Sequence, residues 1–280
     1  MTMSKQHRFG LIAFFILLIL AILVTIEPWK KYTRSAQTAL GEAPPPSISI
    51  HWENLAIAYP ETSLADTILS YKGFDLGYNE ASEQASWVVY ILTKEELESG
   101  SISRTDDFRT DKSLASGSAA LSDYRGSGYD RGHMAPAGDM KWDPEAMSQS
   151  FLLSNMSPQT PSFNRGIWKK LEEQVRQWAL DKDSLYVITG PVLTRVESTI
   201  GENSVWVPAY YYKVIVDLSP PEHGMIAFLL PNEGSDQDLN SYAISVDSLE
   251  SITGYDFFAR APDQDVIAWL EKHPDLFSLK

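Results

Sequence analysis

The sequence predicts an α+β domain, a central antiparallel sheet flanked by helices, preceded by one transmembrane helix. Three observations predict it. Runs of β-branched and aromatic residues bounded by turn formers read as strands. Amphipathic segments read as helices, and they do not alternate regularly with the strands as a parallel sheet would require. An uncharged apolar run of 18 residues stands near the N-terminus.

In chain order, residues 1–8 are a short tail and Phe9–Ile26 (FGLIAFFILLILAILVTI) is the span. A helix of that length covers roughly 27 Å at ~1.5 Å per residue, close to the apolar thickness of a bilayer. Trp29 and Tyr32 follow where an interfacial aromatic belt would lie. A cleaved signal peptide would have a shorter apolar core with small residues behind it. Here Glu27-Pro28-Trp29-Lys30-Lys31 follows, which favours an uncleaved anchor. Lys5 and Arg8 before the span face Lys30, Lys31 and Arg34 after it, so flanking charge does not set the orientation. Residues 27–47 are a juxtamembrane linker ending in Pro44-Pro45-Pro46, and residues 48–280 are one domain. Its expected strands are Trp87–Thr93, Ser184–Thr189, Val205–Asp217 and Met225–Leu230. Its expected helices are Pro144–Ser150, Gly166–Leu180, Ser245–Ile252 and Asp263–Lys272. The second is marked by Ile167, Trp168, Leu171, Val175 and Trp178 at helical spacing.

Composition narrows the function classes. With 44% apolar and 21% charged residues the chain is globular. With no cysteine it can have no disulfide, thiolate nucleophile or zinc ribbon. The net charge of −14 argues against a broad nucleic-acid-binding face. The charge is uneven, however. Residues 104–176 carry 10 Lys/Arg and 10 Asp/Glu, whereas residues 177–280 carry 6 against 16. A small cationic site fits in the neutral segment.

That segment contains YDRGHMAPAGDM, residues 129–140. Arg131 offers a planar fork matched to phosphate, His133 can act as a neutral base near pH 7, and Gly132 allows close backbone approach to a ligand. Asp130 reads as a structural partner of a nearby arginine or a turn cap. Taken alone, His133 is as well explained as an ordinary surface or core histidine. Asn164 alone reads as a helix N-cap, and Glu172 as part of a solvated helix face. In a straight helix the two lie about 12 Å apart, so they share one metal only if Asn164 binds it directly and Glu172 through water. A neutral amide oxygen plus waters suits Mg2+. No G-x-S-x-G, Walker A or G-x-G-x-x-G motif is present.

DRGHM at 130–134 resembles the signature of the DNA/RNA non-specific endonucleases. Ser154-Asn155-Met156-Ser157-Pro158-Gln159, Phe163-Asn164-Arg165-Gly166-Ile167-Trp168 and Leu171-Glu172 are similar to further family blocks, in the family's order and spacing. The resemblance runs from about Lys72 to Phe258. It implies a ββα-metal (His-Me finger) nuclease core cutting DNA and RNA by phosphodiester hydrolysis, without sequence or sugar specificity. By position, it implies that His133 is the general base and Asn164 the direct ligand of Mg2+, with Mn2+ or another divalent ion as substitutes. Glu172 would hold the metal through water and Asn155 would support the site by hydrogen bonds. Arg131, Arg165 and an upstream arginine would contact substrate. Arg104, in Arg104-Thr105-Asp106-Asp107-Phe108, fits the upstream position best, with Arg109 close by. Ser150 and Leu152 depart from the family's usual Thr and Tyr without touching the catalytic set.

Two other readings stand beside this one: a non-catalytic nucleic-acid receptor on the same scaffold, and a phosphodiesterase acting on a smaller substrate. Other candidate partners are the membrane, a second copy of the chain in a homodimer, and an inhibitor protein. A non-specific nuclease free in the cytoplasm would attack its own genome. The expected location is therefore a bacterial inner membrane, with the domain in the periplasm.

Overall fold

The computed structural model describes residues 58–217 and 223–275. The expected transmembrane helix at 9–26 and the linker at 27–47 lie outside the described residues. Among those described, no helix is long and apolar enough to cross a membrane.

The described residues form eleven strands and six regular α-helices. The strands are β1 (Thr67–Ser70), β2 (Asp75–Asn79), β3 (Gln84–Thr93), β4 (Asp130–His133), β5 (Met156–Gln159), β6 (Ser184–Pro191), β7 (Val196–Ile200), β8 (Val205–Pro208), β9 (Tyr210–Asp217), β10 (Gly224–Pro231) and β11 (Ala243–Ile244). The helices are α1 (Lys94–Ser99), α2 (Leu121–Tyr124), α3 (Pro144–Gln149), α4 (Lys169–Lys182), α5 (Val246–Thr253) and α6 (Gln264–Lys272). Seven strands make one sheet in the order β1-β2-β3-β6-β9-β10-β11, with every neighbouring pair antiparallel. The α+β class with a central antiparallel sheet is as expected.

Alternation along β9 shows how the layers form, because successive side chains point to opposite faces. Tyr211 and Ile215 join the core beneath α4, together with Leu171, Val175 and Trp178 of that helix. Tyr212 points the other way, to Tyr255 and Phe257 at 6.1 and 5.6 Å between ring centroids. That second face is covered by α5 and α6 through buried Leu249, Ile267 and Leu270. Trp178 stacks on Phe228 at 5.9 Å and anchors α4. Burying one such apolar side chain is worth roughly 1.5–3 kcal/mol.

Two sequence expectations need correction. The run 205–217 is not one strand. It divides into β8, which pairs with β7, and β9, which lies in the central sheet. The chain changes sheets at Ala209, whose N–H bonds to Arg195 O (3.0 Å) and whose carbonyl accepts from Asn232 N (2.9 Å). Nor does the helix start cleanly at Gly166. Residues Phe163–Trp168 wind more widely than an α-helix, and Gly166 (φ −107°, ψ −111°) breaks the helical path before α4 begins.

The pair β4–β5 stands apart from the large sheet, with Asp130 opposite Gln159 and His133 opposite Met156. With the wide turn and α4 it makes a ββα unit. Gly132 is explained by this pairing. A Cβ there would lie 2.2 Å from Cδ of Gln159, a side chain with no solvent exposure. The glycine accommodates Gln159, which corrects its reading as a ligand approach. Gly132→Ala should therefore cost about 1–3 kcal/mol in urea unfolding through overpacking. Combining it with Gln159→Ala should recover part of that loss. An unchanged urea midpoint in the single variant would mean that Gln159 relocates freely.

Candidate active site

Period-two alternation puts Arg131 and His133 on one face of β4, and Asp130 and Gly132 on the other. On the Asp130 side a single carboxylate holds the start of the helical segment. It accepts from Arg165 Nε (2.8 Å) and a terminal guanidinium nitrogen of the same arginine (2.6 Å), and from Asn164 Nδ2 (3.0 Å). This is the structural pairing expected of Asp130, and the arginine is Arg165. Asn164 is not a helix N-cap. It lies inside the wide turn, and its own N–H bonds to Thr160 O at 2.9 Å.

On the other face, His133 is only 9% exposed. Its ring meets Phe151 edge-on at 5.0 Å and Phe108 at 5.7 Å. The outer faces of these rings carry cations. The Arg131 guanidinium lies 3.9 Å over Phe108 and that of Arg104 lies 4.8 Å over Phe151. Burial, with Arg104 and Arg131 adding repulsion, pushes the imidazole down to about 3. His133 is therefore neutral at pH 7 and keeps a lone pair. Its Nε2 is buried without a hydrogen-bond partner, leaving Nδ1 as the nitrogen able to meet a water.

Asn155 is fully buried behind the histidine. Its side chain accepts from Ala135 N (2.9 Å) and donates to the carbonyls of Ala135 (3.0 Å) and Ser150 (2.8 Å). It fixes the backbone just beyond His133, and so acts as a positioning residue.

Beside these arginines a cleft of about 460 Å³ opens, lined among others by Arg104, Arg125, Arg131, Arg165, Asn164 and Tyr129. His133 stands behind its Phe108 and Arg131 wall, and neither it nor Asn155 nor Glu172 lines the cleft. Its rim carries two acids against four arginines: Asp106, bonded to Arg104 at 2.6 Å, and Asp130. Arg109 does not line it. That residue is bonded to Asp107 (2.8 Å) and to Ser148 O (2.9 Å), so the upstream cleft arginine is Arg104. Sequence reading missed Arg125, Phe108 and Phe151. Arg125 was legible, since it stands in YRGSGYDRGHM, but nothing in the spacing marked it. A larger hollow of about 850 Å³, between α4 and residues 236–240, is lined by none of the expected site residues.

Glu172 is partly buried on α4. Burial raises its carboxyl while the Lys213 ammonium opposes the shift, and burial lowers Lys213 in turn. Asp139, Arg176 and Arg104 act on Glu172 as well. Arg104 thus acts on both His133 and Glu172, which brings the two ends of the expected site to one arginine. The donor set fits a hard divalent ion. The Asn164 amide nitrogen is held by Asp130, and among the described residues no hydrogen bond engages its carbonyl oxygen. Glu172 supplies an acid in a desolvated position.

The chain matches the DNA/RNA non-specific endonuclease family over residues 53–264. It is 37% identical over 232 residues to a nuclease of Nostoc sp., covering 76% of this chain and 82% of that one. It is 34% identical over 199 residues to human mitochondrial endonuclease G, covering 66% and 67%. Among solved structures, the EndoG/EndoGI complex, described as showing the mechanism of EndoG inhibition, superposes with a TM-score of 0.67 at 32% identity. That match covers 74% of this chain and 90% of that one.

The buried imidazole has a consequence for stability. The folded value of about 3 lies below the ~6.5 of an unfolded histidine. The unfolded chain therefore binds the proton first. The contribution from neutral His133 is complete above pH ~6.5 and is lost as pH falls from there toward 3. Between pH 7 and pH 5 wild type should lose ~2 kcal/mol more than His133→Gln, at ~1.36 kcal/mol per pH unit below 6.5. Urea unfolding of both proteins at the two pH values measures this. Equal losses would show that His133 titrates normally.

Proposed function

Because the chain belongs to the DNA/RNA non-specific endonuclease family, we propose that it hydrolyses phosphodiester bonds of DNA and RNA at the arginine-lined cleft, with His133 as general base. The observation that carries this is a neutral, aromatic-walled imidazole set beside two arginines. His133 Nδ1 takes a proton from the attacking water, a contribution worth roughly 10²–10⁴-fold. Arg131 and Arg104 receive the phosphate and offset the charge that develops on its oxygens. Asn164 and, through water, Glu172 would hold Mg2+ or another divalent ion, which when bound polarises the phosphate and steadies the leaving oxygen. Asp130 fixes Arg165 and Asn164 at the mouth of the cleft. Contacts confined to phosphate carry no base information, which accounts for cutting without sequence preference.

In the substrate-free protein the arginines help to hold His133 far below its usual range. A bound phosphate offsets those charges and raises the basicity of the ring where it is needed.

The full-length chain, assayed on plasmid DNA and on RNA with Mg2+ or with EDTA, tests the reading. Cleavage of both substrates that stops with EDTA is expected. His133→Ala should bind DNA yet lose about 10²–10⁴-fold or more in rate. Asn164→Ala should be partly rescued by added Mg2+, and Glu172→Ala should lose about 10–100-fold. Arg131→Lys keeps the charge but loses the fork and should stay impaired. The acid limb of kcat/KM should lie well below pH ~6.5, and that of kcat above it on the pH scale. Wild-type-like cutting by His133→Ala, or DNA binding without cutting under every divalent ion tried, would replace this reading with that of a receptor.

The location that follows is a membrane anchor at residues 9–26 with the domain in the periplasm. Alkaline phosphatase, active only after export, should be active when fused after Lys280. An inactive fusion would place the domain in the cytoplasm.

A further inference from the structure

On the other side of the sheet from α4, the two C-terminal helices bring three acids together. Asp247 and Glu250 lie three residues apart on α5 and so share a face. Glu271 reaches them from α6. One oxygen from each lies within 4.8 Å of the others. Asp247 is exposed, Glu250 is partly buried and Glu271 is only 8% exposed. Glu250 accepts from Phe257 N at 2.7 Å. Lys272 and His273, at the end of α6, act on Asp247 alone among the three. Glu271 has no such relief. Its Oε1 is buried with no hydrogen-bond partner, and the charges acting on it are those of Glu250, Asp247 and Asp256.

Burial and these neighbouring charges push the Glu271 carboxyl up to about 8, so only a cation would let it ionise at pH 7. The orphaned oxygen points to a missing cation. We propose that Asp247, Glu250 and Glu271 form a second metal site, which takes Ca2+ and clips α5 to α6. The ligand set is all oxygen, which suits a hard cation rather than Zn2+, whose protein sites usually include nitrogen or sulfur ligands. A Ca2+ shell with oxygens at about 2.3–2.6 Å is roughly 4.6–5.2 Å across, and three oxygens within 4.8 Å of one another fit around it. Mg2+ demands near-ideal octahedral geometry and keeps several waters, which a buried ligand such as Glu271 opposes. Two packed helices hold the three carboxylates at the spacing their sequence sets.

The test is thermal unfolding of the full-length chain, stripped with EDTA and then titrated with CaCl2. With Kd on the order of 10⁻⁴–10⁻³ M, about 10 mM Ca2+ should raise the midpoint by about 3–10 °C. Mg2+ at the same concentration should do less. Glu271→Gln keeps the shape of the neutral carboxyl but cannot ionise to bind a cation. It should unfold near the wild-type temperature in EDTA at pH 7 and lose the Ca2+ response. Asp247→Asn, at the exposed edge, should fold normally and shift the titration to higher Ca2+. Asn164→Ala should keep the full response, which separates this site from the cleft. A wild-type midpoint that does not move with Ca2+, or a full response in Glu271→Gln, would overturn the proposal.

Discussion

Both ends of the short strand β4 are tied, and the tie at its His133 end is Asn155. A ribbon of two four-residue strands is marginal by itself in water, so this one depends on ties at its ends. The Asn155 side chain takes both the N–H and the C=O of Ala135 and also the carbonyl of Ser150, while the Asn155 backbone carbonyl accepts from Met134 N (3.0 Å). It therefore replaces, for residues 134 and 135, the ladder partners that a longer strand would have supplied. Each such group left unpaired in a buried place costs about 1–3 kcal/mol. At the other end Asp130 does the same work with charge, binding the strand to Arg165 and Asn164 of the following turn. Between them, two side chains set where His133 and Asn164 stand.

The large elements were legible because their residues act locally. WVVYILT and SLYVIT are strand formers that lie buried in the centre of the sheet as β3 and β6, and the stripe from Leu171 to Trp178 is α4. The strands that carry the site were not legible. DRGH has two charges and a glycine, and MSPQ contains a proline, so neither has strand propensity. They become strands through Asn155, Asp130 and the packing of Leu153 and Met156 on Val205 and Val207, all set by contacts distant in sequence. The helical distance from Asn164 to Glu172 has a related weakness. It assumed a straight α-helix, and Gly166 breaks the path between them. The motifs named His133, Arg131 and Asn164 without their surroundings. The walls of the histidine pocket, Phe108 and Phe151, are ordinary apolar residues that only the fold brings together.

Charge also reads differently at the two scales. The chain carries a net −14, yet one cleft gathers four arginines against two acids. Each of the two arginines nearest His133 lies over an aromatic face, which keeps a guanidinium planar, extended and less hydrated. Among the described residues Arg131 has no acid partner and remains available to an anion, whereas Arg104 is also bonded to Asp106 (2.6 Å). A net negative surface weakens long-range attraction of nucleic acid, so capture depends on this short-range fork chemistry.

Behind the cleft the same problem is met by pairing. Asp139 is almost fully buried and accepts from Tyr90 (2.8 Å) and Arg176 (2.7 Å), while Lys213, also fully buried, donates to Thr189 (2.6 Å) and lies 4.9 Å from the centre of the Trp168 ring. With Glu172 these make two acids and two bases in one desolvated cluster. A balanced buried cluster is weak evidence for stability, since apolar residues of equal volume often serve as well. Its value here is directional. Removing either base would raise the Glu172 carboxyl further and favour its neutral form. Burial still raises the Glu172 carboxyl, and the two bases limit that rise, which ties the charge of α4 to β9 through Lys213. The strand that links both layers of the domain thus also bears on the state of an acid on α4.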